Sequence, residues 1–243
     1  MSLTFNGINS DDMHMYVEHY PPYVMPKRKR TSLDAPGRTR RIYTDAGAYE
    51  NVTQPYDVYI HDQSDVQKLD KCMQDISAWL LGPAGYCRLE DSYNPDTFRM
   101  AVYTGPVDIK SYYNRFGRLT LDFDCDPRRF LTSADTYWAG YANGGNINNP
   151  TGFISEPMVK IKGYGECTVT INGTTITLPE YAAETTVIID CETGEIVDSN
   201  GNDLSGSIHL DPFPELVPGN NAITTTGSSN ITALEIKPRF YVL

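Results

Sequence analysis

His14 and His19 flank Glu18 in the segment His14-Met15-Tyr16-Val17-Glu18-His19, the nearest this sequence comes to a zinc-hydrolase site. That chemistry needs two imidazoles on one face and a carboxylate beside the metal-bound water. The spacing matches neither HExxH nor HxxEH, and on a strand residues five apart point to opposite faces. A second oxygen-rich stretch, Asp198-Ser199-Asn200-Gly201-Asn202-Asp203, sets candidate calcium ligands at alternate positions. An EF-hand loop wants glycine at its sixth position and glutamate at its twelfth. Here those positions hold Asp203 and His209, so the stretch reads as a polar turn. There is no GxSxG elbow, no GxxxxGK[ST] loop and no glycine-rich dinucleotide fingerprint. Four histidines offer little acid–base machinery, and no carboxylate spacing singles out a glycosidase pair. Cys72, Cys87, Cys125, Cys167 and Cys191 are odd in number and form no CxxC pair. They read as free thiols acting as small apolar side chains in a protein made in a reducing cytosol. No catalytic residue, cofactor or metal is expected.

The strongest charge anomaly is Lys27-Arg28-Lys29-Arg30 followed by Arg38, Arg40 and Arg41, seven of the 20 basic residues within fifteen positions. Such a run is either a solvated loop or a contact surface for an acidic partner. The whole chain carries −11 at neutral pH, so most of its surface repels phosphate and sequence-specific nucleic-acid binding is disfavoured. An acidic face of a sister subunit is the better match for this segment. Tyr164, Tyr181 and Phe213 are available as an aromatic sugar platform, although core or edge packing is the ordinary use of each.

The elements that must carry these residues are mostly strands. One helix stands out over 64–81. Ser64 and Gln67 form a capping box, and Asp65 suits the positive end of the helix dipole. Val66, Leu69, Met73, Ile76 and Leu80 then recur on one face, and Gly82-Pro83 stops the helix. Arg118–Asp126 alternates apolar and polar side chains, as a half-buried strand does, and Tyr86–Glu90 and Phe98–Tyr103 flank a turn. The second half predicts short strands at Met158–Lys162, Thr168–Ile171, Thr174–Leu178, Thr186–Ile189, Glu195–Asp198, Ser207–His209, Ala222–Thr224 and Ile231–Lys237. Asn172-Gly173, Thr193-Gly194, Asn200-Gly201 and Pro218-Gly219-Asn220-Asn221 supply turns between them.

Charge divides the chain as well. Residues 1–130 are nearly balanced, whereas residues 131–243 hold four basic against 13 acidic side chains. The expected organisation is an N-terminal β-rich domain with a packed helix over 1–135, a Gly/Asn-rich linker over 136–150 and a C-terminal β-sandwich over 151–243. No apolar run is long enough to span a bilayer, so no membrane insertion is expected. The opening Met1-Ser2-Leu3-Thr4-Phe5-Asn6-Gly7 lacks the features of a signal peptide.

The order of several short motifs is more specific than any one of them. Phe5-Asn6-Gly7-Ile8-Asn9-Ser10 leads to Val17-Glu18, Pro21-Pro22, the basic stretch and Ala35-Pro36-Gly37-Arg38. Tyr43-Thr44-Asp45-Ala46-Gly47-Ala48-Tyr49-Glu50-Asn51 follows, then Ile76-Ser77-Ala78-Trp79-Leu80. Tyr113-Asn114-Arg115-Phe116-Gly117-Arg118 runs into Leu121-Asp122-Phe123-Asp124-Cys125-Asp126-Pro127. This order resembles the distal tail (Dit) proteins of long-tailed siphophages and related prophages, over most of residues 3–130. The second half is similar more loosely, through Ile171-Asn172-Gly173, Ile189-Asp190 and Pro218-Gly219-Asn220-Asn221.

The resemblance implies a mainly β chain with a tail-tube-like open barrel or sheet and a galectin-like sandwich. It implies a non-catalytic virion part, made in the bacterial cytoplasm and placed at the phage tail tip. Six copies would form a ring that joins the tail tube to the tail-tip hub and tape measure protein and anchors receptor-binding proteins. DNA would pass through the ring without being read, and an acidic lining would keep it from sticking. A carbohydrate-binding adhesion module is the other reading of the C-terminal sandwich. The chain has no room for the inserted sugar-binding module that some family members carry.

Overall fold

The structure, a computed structural model, describes residues 1–34, 36–61, 66–105, 110–112, 116–208, 210–227 and 230–243. The chain is mainly β. It divides into two compact units, Met1–Arg129 together with the last residue, Leu243, and Phe130–Val242.

In the first unit, β1 (Leu3–Phe5), β2 (Ile8–Asn9), β3 (Met15–Val17), β4 (Arg28–Leu33), β5 (Ile42–Tyr49) and β6 (Val52–His61) precede helix α1 (Val66–Leu81). After it come β7 (Cys87–Asp91), β8 (Thr97–Tyr103), β9 (Lys110–Tyr112) and β10 (Phe116–Cys125). A curled, half-barrel sheet runs β2-β1-β7-β8-β10-β6-β3, with β9 along β10. The predicted alternation of β10 is what closes its core. Leu119, Leu121, Phe123 and Cys125 are buried, and the residues between them are not. Phe123 is the hub: its ring lies 5.1 Å from Phe5, 5.4 Å from Tyr103 and 6.0 Å from Tyr56, measured between centroids. Fully burying a side chain of this size is worth roughly 1.5–3 kcal/mol.

Helix α1 covers this core with Cys72, Ile76, Trp79 and Leu80 buried and Met73 partly so. Trp79 Nε1 also donates to the Phe5 carbonyl at 2.8 Å, tying the helix to β1. The predicted face is present at Met73, Ile76 and Leu80. Ser64 and Asp65 lie outside the described residues, as do the side chains of Val66, Gln67 and Leu69.

A short strand, β11 (Arg129–Leu131), crosses the division between the units. The second unit then holds β12 (Gly145–Asn149), β13 (Met158–Ile171), β14 (Thr174–Asp190), β15 (Glu195–Asp198), β16 (Gly219–Thr226), β17 (Ile231–Lys237) and β18 (Tyr241–Val242). Its sheet runs β12-β16-β13-β14-β15, with β17 also on β13. Strand β13 pairs with β17 over residues 158–163 and with β16 over residues 168–171, changing partners at bulges between Gly163 and Cys167. A bulge bends a strand and sharpens its twist. The two halves of the sheet therefore fold over a single core that includes Val159, Ile161, Val169, Ile171, Ile189 and Leu234. Asn172 and Gly173 join β13 to β14 with φ of 49° and 89°. Both values are positive, as a type I′ hairpin turn demands, and glycine takes the second position without strain.

Three expectations need correction. Met158–Lys162 with Thr168–Ile171, and Thr174–Leu178 with Thr186–Ile189, are halves of two long strands, because the bulges interrupt the pattern without ending the strand. Ser207 lies in a turn, its amide donating to Leu204 O at 2.9 Å, and His209 lies outside the described residues. The stretch 136–150, expected as a linker, contributes Trp138 as a bridge to Ile236 and β12 as a strand on β16. Only Ile147 and Asn149 of β12 are buried. Asn149 is held by its Nδ2 donating to Phe153 O and Leu216 O, a polar anchoring that hydropathy does not register.

Candidate functional site

Strands β4 and β5 pair only with each other, apart from both sheets. Every residue of β4 and all of β5 except Tyr49 is exposed. The register sets Arg30 opposite Asp45, Thr31 opposite Thr44, Ser32 opposite Tyr43 and Leu33 opposite Ile42. A bulge between Arg28 and Arg30 places Gly47 at φ 71°, where its amide donates to Asp45 Oδ1 at 3.0 Å. The segment read as a solvated loop or a contact surface is thus a hairpin. Its strands escape a hydropathy search because neither face is buried, so no alternation is written into them. The readable signals were Pro36-Gly37 for the turn, Gly47 for the bulge, and the β-branched Thr31, Ile42 and Thr44.

The seven basic residues are not equivalent. Arg28 Nε meets Asp45 Oδ2 at 2.6 Å, with its guanidinium 5.5 Å over the Tyr49 ring. Arg41 Nε meets Asp34 Oδ1 at 3.0 Å. The Gly47 amide and then Arg28 hold the Asp45 carboxyl below its usual value, and Asp45 raises Arg28 in return. These two cations are spent inside the hairpin. Lys27, Lys29, Arg30, Arg38 and Arg40 have no ion-pair partner among the described residues, and all five are exposed. Leu33 and Tyr43 stand out beside them, 65% and 61% exposed. A two-stranded hairpin is marginal in water by itself, and this one presents free cations and bare apolar side chains together.

The second unit has the opposite balance. Each of its four cations is matched: Lys160 with Glu235, Lys162 with Glu184, Lys237 with Asp135, and Arg239 with Asp190 and Glu192. What remains on its surface is acidic. Glu166, Glu180, Glu195, Asp203, Asp211 and Glu215 are exposed and have no ion-pair partner among the described residues.

The other sequence candidates do not assemble into sites. Glu18 pairs with Arg118 at 2.6 Å, and His14 caps a short 3-10 turn at φ 54°. Asp198 accepts from the Asn200 and Asn202 amides at 2.7 and 2.9 Å and from Asn202 Nδ2 at 2.7 Å, so the calcium-like loop satisfies its own carboxylate. Among the described residues no group of three His, Cys, Asp or Glu could hold a metal ion. None of the five cysteines is in a disulfide, and all but Cys87 are buried. Tyr181 and Phe213 pack against the second core while Tyr164 is exposed, so the three do not form an open aromatic platform. No described helix is long and apolar enough to cross a membrane.

No protein-family description matches this chain, and no curated protein matches it. Solved structures do. The crystal structure of the Dit protein of phage SPP1, described as a paradigm of the hub adsorption apparatus in phages that infect Gram-positive bacteria, superposes with a TM-score of 0.75 at 12% identity, covering 97% of this chain and 96% of that one. A chain of the phage p2 baseplate in its activated conformation with Sr gives a TM-score of 0.55 at 9% identity, covering 97% and 95%. The phage P2 baseplate with Ca gives 0.51 at 9% identity, covering 92% and 89%. The chain shares the fold of the SPP1 Dit protein across nearly its full length and, more loosely, that of the baseplate chains.

Proposed function

We propose that this chain is a non-catalytic structural subunit of a phage distal tail, six copies of which form a ring joining the tail tube to the tail-tip hub. The tape measure protein and receptor-binding proteins are its further partners. The observation that carries the reading is the end-to-end likeness to SPP1 Dit in both units at once. Assembly chemistry supports it. A cyclic ring needs two different complementary surfaces on each subunit, and the chain offers a hairpin with five unpaired cations and a surplus of exposed unpaired carboxylates. The hairpin of one copy, through Lys27, Lys29, Arg30, Arg38 and Arg40, meets an acidic face of the next. Arg28 and Arg41 hold the hairpin in shape from within.

Light scattering after size exclusion, with negative-stain electron microscopy of the same fractions, tests this. The expected particle is an annulus of about six subunits. A strict monomer, both alone and after mixing with a tail-tube protein, would overturn the proposal.

A further inference from the structure

Arg99, on β8, is 5% exposed, and no carboxylate among the described residues pairs with it. Its two terminal nitrogens reach only carbonyl oxygens at 3.3 Å, those of Asp126 and Val24, and its Nε has no partner. Arg129 is a second cation on the same pocket, its guanidinium 4.6 Å over the Tyr23 ring. Burial and then Arg129 pull the Arg99 guanidinium below its ordinary value, so the two cations repel. One carboxylate, Asp91, lines the pocket beside the two arginines and offsets one of their charges, leaving the lining with one net positive charge. Asp91 accepts from Tyr56 OH at 3.0 Å and from the Tyr93 and Asn94 amides at 3.0 and 2.8 Å. Asp126 is held by Arg128 through contacts of 2.7 and 3.0 Å. Arg88, stacked on Phe98 of the same pocket, is matched by Glu90.

A buried cation without a counter-charge is costly. We propose that this pocket binds one small monovalent anion of chloride size, which bridges Arg99 Nε and Arg129. The pocket has room for about one small occupant, and the two cations that line it favour a compact anion there over water. The consequence reaches the hairpin. Arg99 holds the Val24 carbonyl and Arg129 holds the Tyr23 ring, so the anion fixes the segment from which β4 springs.

Quadrupolar broadening of the chloride NMR signal tests the site at constant ionic strength. The wild-type protein should broaden the signal, bromide should compete, and Arg99→Gln and Arg129→Gln should each reduce the broadening several-fold. Arg38→Gln/Arg40→Gln, which alters only the exposed hairpin, should leave the competed fraction unchanged. Arg129 is only half-buried, so Arg129→Gln keeps the test decisive if Arg99→Gln fails to fold. Bromide-soaked crystals should show an anomalous peak within hydrogen-bonding reach of Arg99 Nε. Broadening unchanged in Arg129→Gln, or a peak at that nitrogen with no anomalous signal, makes the occupant water and overturns the proposal.

Discussion

Reversing Lys29, Arg38 and Arg40 to glutamate separates the hairpin's role in assembly from its role in folding. These three cations have no ion-pair partner among the described residues, so replacing them breaks nothing within the subunit. An exposed ion pair is worth about 0.2–1 kcal/mol, and a like-charge contact costs a similar amount. Three attractions lost and three repulsions gained come to about 3 kcal/mol per subunit contact, or roughly a hundredfold in its association constant. Sedimentation velocity at matched concentration reads this as dissociation of the variant where the wild type remains assembled. Salt supplies a second arm. Raising ionic strength from about 0.1 M to about 1 M shortens the screening length from about 10 Å to about 3 Å. Wild-type assembly should therefore loosen with salt, whereas the variant should be indifferent to salt or gain slightly. Arg41→Glu is the internal contrast. It places a carboxylate against Asp34, its present partner at 3.0 Å, and should loosen the hairpin turn itself, seen as faster amide exchange across 34–42. A triple variant that assembles as well as the wild type would refute the electrostatic contact, and a ring that persists in it would have to be held by Leu33, Tyr43 and other apolar surface.

Other outcomes follow from packing and titration. Phe123→Ala removes the ring on which Phe5, Tyr56 and Tyr103 converge and should cost about 3–5 kcal/mol, read as a lower denaturant midpoint for the first unit's tryptophan, Trp79. Asp190 and Arg239 form a two-pronged pair at 2.6 and 2.8 Å, with side chains 13% and 17% exposed. Burial pushes the Asp190 carboxyl up, but the Arg239 hydrogen bonds and charge outweigh it and the net shift is downward from 3.8. The unfolded chain then binds the proton first as pH falls. The stabilisation is complete above about pH 4 and is lost as pH drops through the lower folded value. Asp190→Asn should flatten the acid limb of the second unit's stability curve and cost about 2–3 kcal/mol at neutral pH. Gly173→Ala forces a side chain to φ 89° and should cost about 1–2 kcal/mol, measured by thermal unfolding.

The sequence made some elements legible because their physics is local. Helix α1 shows itself through Met73, Ile76 and Leu80 at helical spacing, with Gly82-Pro83 beyond, and β10 through strict alternation about Leu119, Leu121 and Phe123. The Asn172-Gly173 turn is readable because few residue pairs accept two positive φ angles. What stayed hidden depends on partners far along the chain. Strand β12 owes its place to β16, seventy or more residues away, and its only buried apolar side chain is Ile147. Strands β13 and β14 read as four short pieces, since a bulge at Gly163–Cys167 looks like an end when the next pairing partner is unseen. At the candidate site composition found the cations, but only the register shows that Arg28 and Arg41 are engaged with Asp45 and Asp34. Arg99 was invisible as anything special, because a lone arginine in a strand gives no sign that its counter-charge is missing.

The coexistence of 12% identity with a TM-score of 0.75 has a physical basis in where the constraints fall. The two cores ask only for apolar side chains of suitable volume at alternate positions, a demand that many sequences satisfy. Turns ask for a few residues with special φ. Neither fixes which charges face outward. Under the ring proposal those charges are free to vary as long as both sides of each subunit contact vary together, since every copy carries both. A hairpin that gains a cation needs only that the acidic face of the same chain keep its surplus. Interchanging hairpins between two such proteins therefore predicts an asymmetry. A graft of residues 27–49 from this chain should assemble onto subunits with a comparable acidic surplus and fail on those whose facing surface is neutral, whatever their overall identity. Mixed-subunit assembly followed by native mass spectrometry would show it. Equal incorporation into both would mean that shape, rather than charge, selects the neighbour.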